Sequence, residues 1–138
     1  MRRSALAFVT TLALAFNAFA GTTPAPEGAN VYIIAPKPGE VVTSPVKVVF
    51  GLSGMGVAPA GMEKDKTGHH HLLIDTDVPD LSKPIPADDT HKHFGGGQTE
   101  TIIELAPGQH TLQLLLGDFS HVPHNPPIVS EQITITVK

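Results

Sequence analysis

Residues 129–137 read Val-Ser-Glu-Gln-Ile-Thr-Ile-Thr-Val, and the end of that stretch decides the fold. Ile133, Ile135 and Val137 alternate with Thr134 and Thr136, the two-residue period of a strand with one face buried and the other wet. β-Branched side chains also suit a pleated surface better than a helix. Working backwards, His110–Leu116 (HTLQLLL) places Leu112, Leu114 and Leu116 on one face in the same period. Thr99–Leu105 is a further strand, stopped by the turn at Pro107-Gly108. His69–Asp75 (HHHLLID) is apolar and bounded by turn residues, hence another. Val46, Val48 and Phe50 alternate with Lys47, Val49 and Gly51, and Val31–Ile34 is a short apolar run ended by Pro36. Thirteen glycines and thirteen prolines punctuate these runs, and no stretch carries the period of an amphipathic helix. The pattern predicts an all-β chain, folded as an antiparallel immunoglobulin-like β-sandwich of about seven strands.

A chain of 138 residues has room for one domain. Its start reads as an address. Met1-Arg2-Arg3 is basic, Ala5 to Phe16 is apolar or small, and Ala18-Phe19-Ala20 closes the run in the manner of a secretory signal peptide cut after Ala20. The run is shorter than the ~20 apolar residues that span a bilayer, so no membrane insertion is expected after cleavage. Residues 1–20 are thus expected to be a signal peptide, 21–29 (GTTPAPEGA) a flexible leader, and 30–138 a single domain in the periplasm.

Composition excludes several functions. Loss of Arg2 and Arg3 would take the net charge from −4 to −6, and an acidic surface is a poor partner for nucleic acid. The chain has no cysteine, which removes disulfides, thiolate nucleophiles, iron–sulfur clusters and thiolate copper sites together. It has no Trp and one Tyr, too few aromatics for a stacking platform.

Eight histidines carry what chemistry remains, and they are grouped: His69-His70-His71, His91-Lys92-His93, and His121-Val122-Pro123-His124, with His110 apart. On a strand, residues i and i+2 share a face, about 6.6 Å apart, so His69 and His71 project together while His70 points away. His91 and His93 repeat the spacing. Two such pairs make a site of imidazole nitrogens, suited to copper, zinc, iron or nickel. The predicted ligands are His69, His71, His91 and His93, with His121, His124 and Met62 in reserve. Met62 and Met55 lie in the loop before His69, and a thioether favours copper over zinc. Asp75 or Asp118 is expected to orient a ligand imidazole. His70 and His110 are expected to serve the structure, and Gly95-Gly96-Gly97 to turn the chain sharply beside the second pair.

Three stretches together, GHHHLLID (68–75), HKHFGGGQT (91–99) and HTLQL…D…HVPH (110–124), resemble a family of small exported bacterial proteins catalogued as a domain of unknown function. The resemblance spans about residues 30–138 and implies a single exported domain without supplying an activity. More loosely, the chain is similar to periplasmic copper-handling β-sandwiches that bind the ion with His and Met. This chain lacks their regular Met-rich motif.

The expected function is a periplasmic metal-binding module, copper first and zinc as the alternative, that buffers the ion or delivers it to a metal-accepting protein. Two other readings stay open. One is an enzyme built on a His-ligated ion, with Glu100, Glu104 or Asp89 as base. The other is a metal-free interaction domain whose histidines order its loops.

Overall fold

The computed structural model describes residues 23–138, so the expected signal peptide lies outside the described residues. Among those described, the chain is all strand and loop, without a helix. Nine strands occur: β1 (Asn30–Ala35), β2 (Val41–Val42), β3 (Val46–Ser53), β4 (Gly56–Val57), β5 (Thr67–Ile74), β6 (His91–His93), β7 (Glu100–Ile103), β8 (Gly108–Gly117) and β9 (Ile133–Val137). They form two sheets, β1-β3-β7 and β2-β9-β8-β5-β4, with β6 paired to β5 beside β4. The long pairings are antiparallel; the two-residue strands β2 and β4 run parallel to β9 and β5.

Alternation decides what each face buries. Val31, Val46, Val48 and Phe50 from the small sheet meet Leu72, Ile74, Leu112, Leu114, Leu116, Ile133, Ile135 and Val137 from the large one in a shared core. Leu112, Leu114 and Ile135 are wholly buried. Truncating one of them to Ala removes transfer energy and leaves a void, costing about 2–5 kcal/mol.

The outer face of the large sheet is covered as well. Leu73 and Leu115 pack there with Ile85, Val78 and Leu81 from the segment that follows β5. That irregular segment therefore works as a cover, and it is also where β6 arises. Covered on both faces, β5 is buried without a break from Gly68 to Ile74. The strand expected over His69–Asp75 is thus found as the most buried strand described.

Within the stretch expected to be a flexible leader, residues 23–25 are hydrogen-bonded to the loop after β8. Asn125 N–H donates to the Thr23 carbonyl at 2.9 Å, and Ala25 N–H donates to the Asn125 carbonyl at 2.9 Å. Pro24 thus bridges Asn125 in parallel, which lays the start of the described chain against the loop after β8.

Candidate metal centre

β5 supplies the base of the site. Its inner face carries His70, Leu72 and Ile74 into the core, so the pleat sends His69, His71 and Leu73 outward. β6 lies antiparallel to β5 with His93 opposite His71 and His91 opposite Leu73. On the other side β8 places Gly117 opposite His69, and the chain leaves β8 there into the loop that carries His121. Four imidazoles from three parts of the chain meet above the outer face: His69, His71, His93 and His121 each offer a nitrogen, and those atoms all lie within 4.8 Å of one another.

The packing is close. Ring centroids of His69 lie 4.8 Å from His71, 5.1 Å from His93 and 5.1 Å from His121, and His93 is 4.8 Å from His121. His69 Nε2 and His121 Nδ1 are 3.2 Å apart, one donating its proton to the other. Metal–nitrogen bonds of about 2.0–2.1 Å in a tetrahedron hold their nitrogens roughly 3.3–3.4 Å apart, so that pair already stands at ligand spacing. Nδ1 of His69 and Nδ1 of His71 are buried without a hydrogen-bond partner.

Three glycines make room for imidazoles, two of them for rings of the site. A Cβ on Gly117 would stand 2.8 Å from Cε1 and 3.3 Å from Nδ1 of His71. One on Gly95 would stand 2.7 Å from Nε2 of His93, and one on Gly68 would meet Cε1 of His124 at 2.9 Å and the Gly117 carbonyl at 2.8 Å. Of the triple glycine, only Gly95 gives way to a site imidazole.

Burial and mutual repulsion favour the neutral form of His69, His71 and His93. Burial, then the neighbouring His121 and His93, lower the pKa of His69 to about 4; burial with His69, His93 and His121 lowers His71 to about 3. Burial and His121 lower His93 as well. Neutral imidazoles at neutral pH present lone pairs, the form in which they bind metal.

Asp118 holds the loop that brings His121 in. Its carboxylate is 2% exposed and accepts hydrogen bonds from Ser120 N–H, Ser120 Oγ, Val122 N–H and the Thr23 hydroxyl at 2.8–3.0 Å. Burial pushes this carboxyl up, yet those hydrogen bonds together hold it below the usual carboxylate range. Its charge is felt at His69, where it favours the positive form.

The other expected site residues lie elsewhere. His91 shares a face with His93 but sits two residues further along the strand, where its Nδ1 donates to Asp88 at 2.8 Å. His124 is buried, with Nε2 donating to the Thr67 carbonyl at 3.2 Å. Met62 is exposed on the wall of a groove that also contains Lys66, Asp118 and Phe119, and Met55 packs against the core. Asp75 faces His110, which donates from Nδ1 to its carboxylate at 2.6 Å and from Nε2 to the Ala106 carbonyl at 2.7 Å. Both ring nitrogens therefore donate, and those acceptors raise the pKa of His110. His70 stacks on Phe50 in the core, its centroid 5.1 Å away. Burial lowers its pKa to about 4, partly offset by the Gln98 carbonyl, and no well-formed hydrogen bond reaches either nitrogen.

Sequence spacing alone favoured His91 over His121. The missing signal was the register of β5 on β8, which sets Gly117 against His69 and so delivers the Asp118–His124 loop to the histidines.

An all-β domain in which four imidazoles converge, two of them buried, carries a cluster that could hold a metal ion. The chain belongs to the family described as domain of unknown function DUF4399, whose model matches residues 48–138 and so takes in every histidine of the sequence. No curated protein and no solved structure matches it.

Proposed function

We propose that this protein is an exported metal-binding module in which His69, His71, His93 and His121 hold one transition-metal ion, and that it buffers the ion in the periplasm or passes it to a metal-accepting protein. The observation that carries the reading is the convergence of one nitrogen from each of the four rings, all within 4.8 Å of one another, on the covered face of β5. Imidazoles that only packed would have no reason to gather from three segments. Left without partners in a protein interior, buried ring nitrogens cost about 1–3 kcal/mol each. A bound ion removes part of that cost by taking the lone pairs.

Copper is the ion proposed first and zinc second. A set of imidazole nitrogens follows the general affinity order that places Cu(II) above the other divalent first-row ions, and four nitrogens also suit tetrahedral zinc. Export is supported by the basic start, the apolar run and the Ala18-Phe19-Ala20 ending. The two sheets closing on one core support an immunoglobulin-like sandwich as the finer description of the fold.

The test is a titration of the purified exported chain with Cu(II), Cu(I) and Zn(II) against chelators of graded affinity, beside a variant with all four histidines changed to Ala. Tight one-to-one binding lost in the variant supports the site and names its metal. Binding no stronger than that of a surface histidine pair returns the four rings to a structural role.

A further inference from the structure

We infer that Thr23 and Asp118 are positioning residues for this site: the N-terminal segment fastens one flank of the loop that carries His121 and so sets where the fourth ligand stands. The inference rests on the four-histidine reading and concerns how the set is assembled.

The four ligands are not equally fixed. His69 and His71 sit in β5, which is bonded along both edges to β8 and β6, and His93 lies directly across from His71. His121 sits in irregular chain with φ +68°, a conformation that a residue other than glycine keeps only when its surroundings enforce it. Those surroundings are the loop's own hydrogen bonds and its ties to neighbouring chain. Within the loop, Asp118 N–H donates to the Val122 carbonyl at 2.8 Å and His121 N–H donates to the Asp118 carbonyl at 2.9 Å. Oδ1 of Asp118 gathers Ser120 and Val122.

The loop is tied to the rest of the molecule at several points. Gly61 N–H donates to the Phe119 carbonyl at 2.9 Å, and His124 Nε2 donates to the Thr67 carbonyl at 3.2 Å. Two further ties flank His121. Ile85 N–H donates to the His121 carbonyl at 2.8 Å, which anchors the residue from the segment covering the sheet. On the opposite flank the Thr23 hydroxyl donates to Oδ2 of Asp118 at 2.8 Å, across 95 residues of sequence. The Thr23 and Ala25 backbone pairs with Asn125 close the same strap over the far end of the loop. Asp118 is nearly sealed from water, so a lost hydroxyl at position 23 would leave Oδ2 with an unmet need for a donor. The loop then shifts to find one, and His121 moves with it. Under the proposed cleavage after Ala20, Gly21 and Thr22 would stand ahead of Thr23.

The test uses protein expressed from the full sequence, recovered in exported form and stripped of metal. Thr23→Val, Thr23→Ser and His121→Ala are compared singly, with Thr23→Val also placed in the His121→Ala background. Cu(II) affinity is read by chelator competition, nitrogen coordination by electron paramagnetic resonance, and loop order in the metal-free protein by amide exchange at Ser120 and Val122. Thr23→Val should weaken Cu(II) by about 10–100-fold, the range for loss of a residue that orients a ligand. It should also move the spectrum toward that of His121→Ala, speed exchange at the two amides, and add nothing in the His121→Ala background. Thr23→Ser should restore all three. An unchanged spectrum and affinity in Thr23→Val, or an equal loss when His121 is already gone, overturns the positioning role while leaving the four-histidine site intact. A wild-type chain that takes up neither Cu(II) nor Zn(II) overturns both readings.

Discussion

His69 Nε2 and His121 Nδ1 stand 3.2 Å apart although 52 residues of sequence separate them. One belongs to the most buried strand of the molecule and the other to a loop, and their meeting closes a ring of four imidazoles. That contact fixes which substitutions should matter.

Changing His69, His71, His93 or His121 singly to Ala removes a donor from the set. Each should weaken Cu(II) or Zn(II) by more than the roughly 10–100-fold typical of losing an orienting partner. His91→Ala should leave affinity unchanged, since that ring is engaged with Asp88. Isothermal titration of the five variants checks this, and a larger loss from His91→Ala than from His121→Ala would refute the assignment.

Gly117→Ala should act on metal binding without touching a ligand. Its φ is not in the left-handed region, so the effect is steric: the new methyl would stand 2.8 Å from Cε1 of His71. Displacing that ring should cost about 1–3 kcal/mol of stability, as overpacking does, and weaken the metal along with it. Denaturant midpoints and metal titration on the same sample test the pair of effects.

The metal-free protein should lose stability in acid. Burial holds His69, His70 and His71 at about 4, 4 and 3, below the value of 6.5 for a free imidazole. The unfolded chain therefore binds more protons than the folded one as pH falls, and protons favour unfolding. Stability from these rings is fully present above pH 6.5 and drains away as pH drops toward 4. Urea midpoints of the metal-free chain at pH 7.5, 5.5 and 4.5 should decline in that order. A flat series would contradict the burial of the three rings.

His70→Leu should stabilise the fold or leave it unchanged within about 1 kcal/mol, because an apolar side chain beside Phe50 replaces a ring with two unpartnered nitrogens. Metal affinity should be unaffected, since His70 faces the core. A marked loss of stability would mean that the imidazole makes a hydrogen bond essential to the core.

His110 responds to pH in the opposite sense. Its two acceptors raise its pKa, so its contribution is complete below 6.5 and is lost as pH rises through the raised value. The Asp75 end of the pair is partly exposed, and His110→Ala should cost no more than about 1 kcal/mol at pH 6 and leave metal binding alone. Thermal midpoints of wild type and variant at pH 6 and pH 9 should converge at the higher value.

The sequence by itself determined the all-β character, because a two-residue period in Ile133–Val137 and in Leu112, Leu114 and Leu116 is written locally. It also determined that His69 and His71 share a face, since alternation along one strand needs no partner. The same local rule could not choose between His91 and His93, nor weigh His121 against either. Those choices were made by register. Pairing His93 with His71 moved His91 away toward Asp88, and pairing Gly117 with His69 brought the Asp118 loop to the site. The burial of β5 on both faces was equally nonlocal, for it depends on the segment after the strand folding back over Leu73 and Leu115. Tertiary structure decided which imidazoles converge, because a cluster drawn from different segments within a few ångströms depends on distances across the chain that strand pairing sets.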